Sequence, residues 1–292
     1  MAPFRNRSEP ETAERSDGRT SGRETTGLRG AAGSPLPSPT VLAAVLGAVL
    51  LGYYLLPLAG LLATQSPSAI LARLAEPAVR RAAITSLLGA TVTTLLALVF
   101  GLPLAYWLSR TTSRLRTPVV AVVVLPLVLP PVVSGMLLFP VVGTGPVAAT
   151  AGHFGIATTR SVVGVVLAQT FVASPYLVIT ALAAFERVDP HYEEVAETLG
   201  LSRYATVRKV TIPLARNGIV AGATLTFARA MGEFGATMLL AYRPRTLPVS
   251  IFTSFLGQGT DAAFPIAVVL LVVSLVALAV LQLLGTDAWP RS

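Results

Sequence analysis

The sequence has no cysteine, a single lysine and only two histidines among its 292 residues. Without cysteine it has neither a disulfide framework nor a thiolate metal site. The histidines, His153 and His191, lie far apart in the chain, so we expect no metal and no other cofactor. The lysine, Lys209, precedes Val210 and therefore does not belong to a Gly-x-x-x-x-Gly-Lys-Ser/Thr nucleotide-binding loop.

Charged residues are also scarce, at 12% of the chain, whereas 53% of the residues are hydrophobic. Soluble domains carry about 25% charged residues, so this balance predicts an integral membrane protein. The net charge of +8 would suggest nucleic acid binding in a soluble protein. Here the basic residues lie between apolar runs, where they set topology, and no nucleic-acid partner is expected. No Ser/His/Asp arrangement or intramembrane Asp pair is evident, which argues against an enzyme.

Six apolar runs predict an all-α membrane protein with six transmembrane helices. Each run has about 22 to 27 residues, enough to cross a bilayer as a helix, and lipid cannot satisfy the backbone of any open strand. The predicted spans are 41–63, 83–109, 117–142, 161–185, 216–241 and 264–286, within a permease domain of residues 41–288. Residues 1–40 are polar and nearly neutral, and we expect a disordered cytoplasmic tail.

The distribution of basic residues predicts the orientation of these spans. With the N-terminus inside, the inner segments hold 15 basic residues and the outer segments hold 6. Without the four tail arginines farthest from the first span, the ratio is still 11 to 6. The positive-inside rule thus favours two cytoplasmic termini. Segments 66–81 and 246–258 are then expected at the outer surface, the first as a short interfacial helix and the second as an interfacial or re-entrant piece.

The segment between the fourth and fifth runs, residues 189–213, has the pattern of a cytoplasmic helical hairpin. Asp189 suits an N-cap, Gly200 a C′ position and Ser202 a second N-cap, and the second helix is expected to stop near Pro213. Apolar residues recur at helical spacing on one face, namely Tyr192, Val195, Ala196 and Leu199 and then Tyr204, Val207 and Val210, with Glu193, Glu194 and Glu197 beside them. The pattern alone fits a docking surface and an ordinary connecting loop equally well.

This segment resembles the EAA loop of ATP-binding cassette (ABC) importer permeases. The matching residues are Glu194-Val195-Ala196, Gly200 and Val210-Thr211-Ile212-Pro213, with conservative departures at Val195, Val210 and Ile212. The resemblance implies a coupling helix that lies in a groove of a separate ATPase subunit. The residues expected to couple the permease to the ATPase are Glu193, Glu194, Ala196, Gly200, Tyr204 and Pro213.

Arg229 and Glu233 are ionisable residues in the fifth apolar run. Because they are four residues apart, we expect them on one face of a single helix. Ionisable groups near mid-membrane are costly, so they should pair or face a polar cavity. Two interpretations remain open: Arg229 meets an oxyanion in transit, or the pair neutralises itself and fixes packing or a gate.

Residues 228–237 (ARAMGEFGAT) resemble the fifth span of molybdate, tungstate and sulfate permeases, with Met231 in place of Leu, and Ala236-Thr237 is closer to the molybdate/tungstate branch. Residues 125–133 (LPLVLPPVV) and 246–249 (TLPV) resemble the same family's proline-rich third helix and outer loop, and the whole resemblance covers roughly 83–285. We expect a translocation pathway or gate formed by Arg229, Gly232, Glu233, Gly235, Thr237, Pro130 and Pro131. For the prolines, which should kink or break the third helix, a role in packing alone is the alternative.

The resemblance also implies an architecture and partners. We expect a type I importer permease in the plasma membrane, in contact with lipid, that acts by alternating access as a homodimer with two ATPase subunits and an external substrate-binding protein. A sulfate or other small-anion permease is the alternative within this class. A stand-alone secondary carrier or channel is the alternative outside it, but such proteins usually carry inverted repeats, and we find none.

Overall fold

The computed structural model describes residues 38–284 of the chain. Every regular element in this range is helical, which confirms the all-α prediction for the described residues. The predicted disordered tail lies outside the described residues except for its last three positions. Within the described range, contacts divide the chain into a first unit that ends at Tyr54 and a second unit that begins at Leu55.

Fourteen α-helices and three π-helical turns make up the described range. The α-helices are α1 (Pro39–Ala63), α2 (Pro67–Ala75), α3 (Pro77–Leu96), α4 (Leu102–Arg110), α5 (Arg116–Val128), α6 (Pro131–Leu138), α7 (Pro146–His153), α8 (Val162–Glu186), α9 (Pro190–Thr198), α10 (Arg203–Thr206), α11 (Ile212–Met231), α12 (Gly235–Leu240), α13 (Leu247–Gln258) and α14 (Thr260–Leu284). The π-helical turns are Ala97–Gly101, Phe139–Gly143 and Val207–Thr211.

Four helical stretches of the described range are long and apolar enough to cross a membrane. They are Pro39–Ala63, Pro77–Arg110, Val162–Glu186 and Thr260–Leu281. A fifth candidate arises if Arg116–Val128 and Pro131–Gly143, which are bent by 119° at their junction, form one broken span. The bend has a local cause, because a residue before proline avoids the helical region and Leu129 is extended, with ψ of 135°.

The predicted single helix over 216–241 is wrong in the described structure. The chain there forms α11 and α12, separated by residues 232–234. The predicted end of the hairpin near Pro213 is also wrong, since helical backbone continues past it. In the preceding π-helical turn the Ile212 N–H donates to the Val207 carbonyl, and Pro213 falls in the first turn of α11, where its missing N–H breaks no helical bond.

The first unit is described for residues 38–54 alone, which form the beginning of α1. All of these residues are exposed, although most are apolar. A surface of that size would be a liability in water, and it is the surface that a bilayer accommodates.

In the second unit α8 is the central helix and packs against α3, α4, α5, α6, α11 and α12. Glycines allow α11 to approach it closely. A Cβ on Gly218 would lie 2.4 Å from the Cβ of Ala184, and one on Gly222 would lie 2.1 Å from Oγ1 of Thr180. Small residues of this kind are the usual means by which membrane helices pack tightly. This contact fixes the two helices that flank the α9–α10 segment.

Candidate functional site

The segment between α8 and α11 forms two short capped helices, which we call the α9–α10 hairpin (residues 190–206). The Asp189 carboxylate accepts a hydrogen bond from the His191 N–H at 2.9 Å, and the Ser202 hydroxyl accepts one from the Ala205 N–H at 3.4 Å. Gly200 lies between the helices with φ of +91°, a conformation that other residues rarely adopt. The predicted caps at Asp189, Gly200 and Ser202 are confirmed.

Arg110, the last residue of α4, joins this hairpin to the end of α8. Its guanidinium donates to the Phe185 carbonyl at 3.1 Å and the Val188 carbonyl at 3.2 Å. It also donates to Glu193 of α9, with 2.8 Å between Nη2 and Oε1 and 3.2 Å between Nε and Oε1. Arginine is well suited to this position, because its planar fork supplies several donors in a fixed geometry. One side chain therefore ties three helices together.

Glu193 receives further hydrogen bonds besides those from Arg110. The Thr211 hydroxyl donates to its Oε1 at 2.8 Å, and the Tyr106 hydroxyl donates to its Oε2 at 3.4 Å. Burial by itself raises the pKa of the Glu193 carboxyl, but the hydrogen bonds from Arg110 and Thr211 and the positive charge of Arg110 outweigh it and leave the pKa below its usual range. Glu193 is thus ionised at neutral pH and holds the base of the hairpin.

The apolar face of the hairpin points away from the protein. Tyr192, Val195, Leu199 and Tyr204 are 58%, 41%, 76% and 78% exposed, whereas Ala196 is buried. Glu194 is exposed beside them. The predicted coupling residues thus differ in where they lie. Glu193 and Ala196 face the protein, whereas Glu194, Gly200 and Tyr204 are exposed on the hairpin. Pro213 lies beyond the hairpin, in the first turn of α11.

Arg229 and Glu233 form an ion pair, but they do not share a helix as predicted. The helix α11 ends at Met231, and Glu233 lies in the break before α12. Its Oε2 is 2.7 Å from Nη2 of Arg229, and its Oε1 accepts a hydrogen bond from the Ala236 N–H at 2.8 Å. Glu233 is 1% exposed, so the carboxylate is buried and held by both partners. The pair therefore spans a helix break.

The same break brings together several other predicted pathway residues. A Cβ on Gly235 would lie 2.8 Å from the backbone nitrogen of Val132 and 3.0 Å from Pro131, so α12 lies directly against α6. Gly232 is exposed, with no such contact. Thr237 is fully buried, and among the described residues its hydroxyl has no hydrogen-bond partner. Pro130, at the N-cap of α6, is exposed.

Sequence reasoning missed two residues of these sites. The Gln169 side chain donates to the Ala230 carbonyl at 2.9 Å, one residue before the end of α11. A glutamine inside an apolar run is the signal that could have identified it. The second is Arg110, since an arginine at the end of a span is read as a topology signal, and nothing local indicates its distant partners.

The comparisons with known proteins define the class of this protein. The chain belongs to the family of binding-protein-dependent transport system inner membrane components, which it matches over residues 97–288. It is therefore an integral membrane permease subunit of an ABC transport system, which confirms the predictions of family, of membrane insertion and of a transport subunit rather than an enzyme.

Three relatives that this chain resembles over most of its length are molybdenum or molybdate/tungstate permease proteins. The chain is 53% identical over 248 residues to the probable molybdenum ABC transporter permease protein of Haloferax volcanii, covering 85% of this chain and 91% of the relative. It is 36% identical over 236 residues to the molybdate/tungstate transport system permease protein of Thermococcus kodakarensis, covering 80% and 91%. It is 39% identical over 226 residues to the molybdenum transport system permease protein of Mycobacterium tuberculosis, covering 74% and 84%.

Solved structures of low identity share the fold. One is a bacterial ABC transporter involved in the import of the acidic polysaccharide alginate, with a TM-score of 0.61 at 19% identity, covering 86% of this chain and 96% of that one. Another is the methionine ABC transporter in inward-facing conformations, with a TM-score of 0.55 at 18% identity, covering 72% and 93%. This chain thus has the fold of ABC importer permeases.

Proposed function

We propose that this chain forms the translocation pathway of an importer for molybdate or tungstate, driven by a separate ATPase. The observation that carries the proposal is the α9–α10 hairpin, which is fixed at its base by Arg110 and presents exposed apolar residues outward. A fixed element with an apolar outer face is suited to take up force from a partner. The names of the relatives, which are molybdenum and molybdate/tungstate permeases, support the choice of substrate.

The proposed architecture is the type I arrangement in the plasma membrane, with six spans and both termini in the cytoplasm. The sixth span comes from counting α11 and α12 as one crossing interrupted at residues 232–234. Two copies of the chain would form the pathway, with two ATPase subunits inside and a substrate-binding protein outside. Two structures that share the fold are alginate ABC transporters, and one of them was solved in complex with a periplasmic protein bound to an alginate pentasaccharide, which supports this set of partners.

In the proposed coupling step, Tyr204, Glu194 and the turn at Gly200 contact the ATPase. Glu193 and Arg110 transmit the displacement of the hairpin to the ends of α4 and α8. ATP closes the motor, the two hairpins move, and the pathway opens outward. Permease affinity for the anion can be low in this mechanism, because the binding protein supplies recognition.

The break between α11 and α12 is the proposed gate. Arg229 is neutralised by Glu233, which favours a packing or gating role over direct binding of the anion. Interrupted helices line cavities in many transporters and provide positions where a helix can bend. Gly232 and Gly235 lie on either side of Glu233 in the chain, and Thr237 follows in the first turn of α12. Pro130 and Pro131 lie at the start of α6, the helix that α12 contacts.

Transport by the reconstituted complex tests the proposal. The chain, its ATPase and its substrate-binding protein are placed in proteoliposomes, and uptake of radioactive molybdate is measured with sulfate as competitor. We expect uptake only with ATP and all three proteins, and no reduction by excess sulfate. Uptake without the ATPase would indicate a secondary carrier or channel, and full competition by sulfate would indicate the sulfate alternative.

A further inference from the structure

Three arginines line one cleft that the proposed coupling and gate do not use. The cleft has a volume of about 290 Å³ and is lined by Ala78, Arg81, Ala82, Thr85, Arg243, Pro244 and Arg245. No acidic side chain lines it, and Arg81, Arg243 and Arg245 form no ion pair among the described residues. Three like charges around one concave surface repel one another, which an anionic group placed between them would relieve.

The arginines come from two segments that are firmly joined. The Leu247 N–H donates to the Ser86 hydroxyl of α3 at 2.8 Å, and Leu247 is fully buried against Val79 and Ala82. The loop that carries Arg243 and Arg245 is therefore fixed to α3 immediately after these residues. The cleft does not depend on a free loop for its shape.

Arg245 is itself held in place by an aromatic neighbour. Its guanidinium carbon lies 5.4 Å from the ring centroid of Tyr242, and its Nη2 is 3.2 Å from the Tyr242 hydroxyl. Tyrosine and arginine are among the residue types that are enriched at protein–protein hot spots. A pre-positioned guanidinium loses less conformational entropy when an anionic partner binds.

The cleft lies at the opposite end of a span from the α9–α10 hairpin. Pro77–Arg110 is one candidate span, with Arg81 near its start and Arg110, which holds the hairpin, at its last residue. Their separation of 29 positions corresponds to roughly 43 Å of helix, enough to cross a bilayer with its headgroups. With the hairpin inside the cell, the cleft faces the outside.

We propose that this cleft is a docking point for an acidic side chain of the external substrate-binding protein. The inference rests on the proposed function, which supplies a protein partner on this side of the membrane. A protein carboxylate suits the cleft better than a free ion does, because the arginines are exposed and a small ion there stays hydrated, whereas docking of a protein excludes water. Complementary charges of this kind chiefly accelerate association.

The test compares charge-reversal variants of the assembled transporter in lipid nanodiscs. The variant is Arg81→Glu combined with Arg243→Glu. The matched control is Arg80→Glu, an exposed arginine of the same helix that does not line the cleft. Association of the molybdate-loaded substrate-binding protein that supports transport is measured by interferometry at low salt and at about 1 M salt, where the Debye length is roughly 3 Å.

We expect the binding protein to associate with the double variant at least about tenfold more slowly than with the wild type at low salt. Most of the salt dependence seen with the wild type should also disappear. The basal ATPase activity of the double variant and the association rate of the Arg80→Glu variant should equal those of the wild type. Equal rates in the double variant and the wild type would overturn the inference, as would an equal loss in Arg80→Glu. Activation of the wild-type ATPase by molybdate without the binding protein, abolished in the double variant, would also overturn it and assign the cleft to the free oxyanion. A wild type that does not respond to the binding protein at all would instead contradict the proposed function.

Discussion

Nη2 of Arg110 lies 2.8 Å from Oε1 of Glu193 and joins the last residue of α4 to the first turn of α9. The same guanidinium donates to the carbonyls of Phe185 and Val188, at the end of α8 and just beyond it. We propose that a displacement of the hairpin is passed through this contact to two candidate membrane spans. This contact is the structural basis of the coupling that we propose.

The Arg110–Glu193 contact should contribute measurably to stability. Both side chains are mostly buried, at 20% and 15% exposed, and hydrogen bonds to charged groups are worth about 1.5–3 kcal/mol. We expect Arg110→Gln and Glu193→Gln each to lower the free energy of unfolding in a detergent titration by about that amount. In the double variant the loss should be clearly smaller than the sum of the single losses. Additive losses would contradict a direct interaction, and Arg114→Gln, at an exposed neighbouring position, is the control.

The lowered pKa of Glu193 predicts a pH dependence of that stability. A carboxyl whose pKa is lowered on folding stabilises the protein above its unfolded pKa, about 4.3, and this contribution disappears as pH falls through the folded pKa. The stability difference between wild type and Glu193→Gln should thus be full at neutral pH and shrink below about pH 4.3. Thermal unfolding at a series of pH values measures it. A constant difference over this range would count against the prediction, and exposed Glu194→Gln should show little difference at any pH.

Gly200 should tolerate asparagine far better than valine. Its φ of +91° is accessible to glycine and least unfavourable for asparagine among the others, but it is strained for a β-branched residue. Space is not the constraint, since a Cβ there would meet no atom within 4 Å. We expect Gly200→Val to insert in the membrane and lose most ATP-driven uptake, with Gly200→Asn largely active. Equal activity of the two variants would show that the backbone conformation is unimportant for coupling.

The two residues of the ion pair at the helix break should differ in how much stability the protein loses when either one is replaced. Loss of Arg229 leaves a buried carboxylate without its charged partner, and breaking a buried pair in this way costs about 3–5 kcal/mol. Loss of the Glu233 charge leaves an arginine whose side chain is 24% exposed and therefore less buried than the Glu233 carboxylate, which is 1% exposed. Arg229→Gln should therefore destabilise the protein more than Glu233→Gln in detergent unfolding. The reverse order would contradict this account of the pair.

Gly232 and Gly235, the two glycines at the break, should differ in how much an alanine substitution lowers the free energy of unfolding in detergent. An alanine at Gly235 would place its Cβ 2.8 Å from the Val132 nitrogen, a contact with backbone that only movement of a helix can relieve. An alanine at Gly232 would meet only the Ala228 carbonyl oxygen, at 3.7 Å. We expect Gly235→Ala to cost about 1–3 kcal/mol and Gly232→Ala to be nearly neutral. Similar losses in both would show that α6 and α12 are not closely packed.

Local chemistry determines how much of this structure is predictable from the sequence. Each of the caps at Asp189, Gly200 and Ser202 depends only on residues within four positions of the cap residue, and all three caps are correctly predicted. The continuation past Pro213 is not, because the sequence pattern does not show a π-helical turn that changes the register. Proline is a reliable stop only where its missing N–H breaks a bond.

Contacts between distant segments explain the remaining differences. The partners of Arg110 are 75 to 83 residues away, and Gln169 bonds a carbonyl 61 residues away. Hydrophobic periodicity carries no information about such pairs. The break at residues 232–234 also lies beside a contact between distant segments, since the backbone of α6 lies against Gly235. The sequence placed Arg229 and Glu233 on one helix face and left their pairing as one of two interpretations, and it did not indicate the helix end between them.

The most direct test of the coupling account is the number of molybdate ions taken up per ATP hydrolysed, measured in proteoliposomes that contain the complete transporter. We predict that Arg110→Gln lowers this ratio about tenfold or more while the ATPase stays assembled and active, and that the ratio in Arg114→Gln equals that of the wild type. An unchanged ratio in Arg110→Gln, in a folded and assembled complex, would contradict the account.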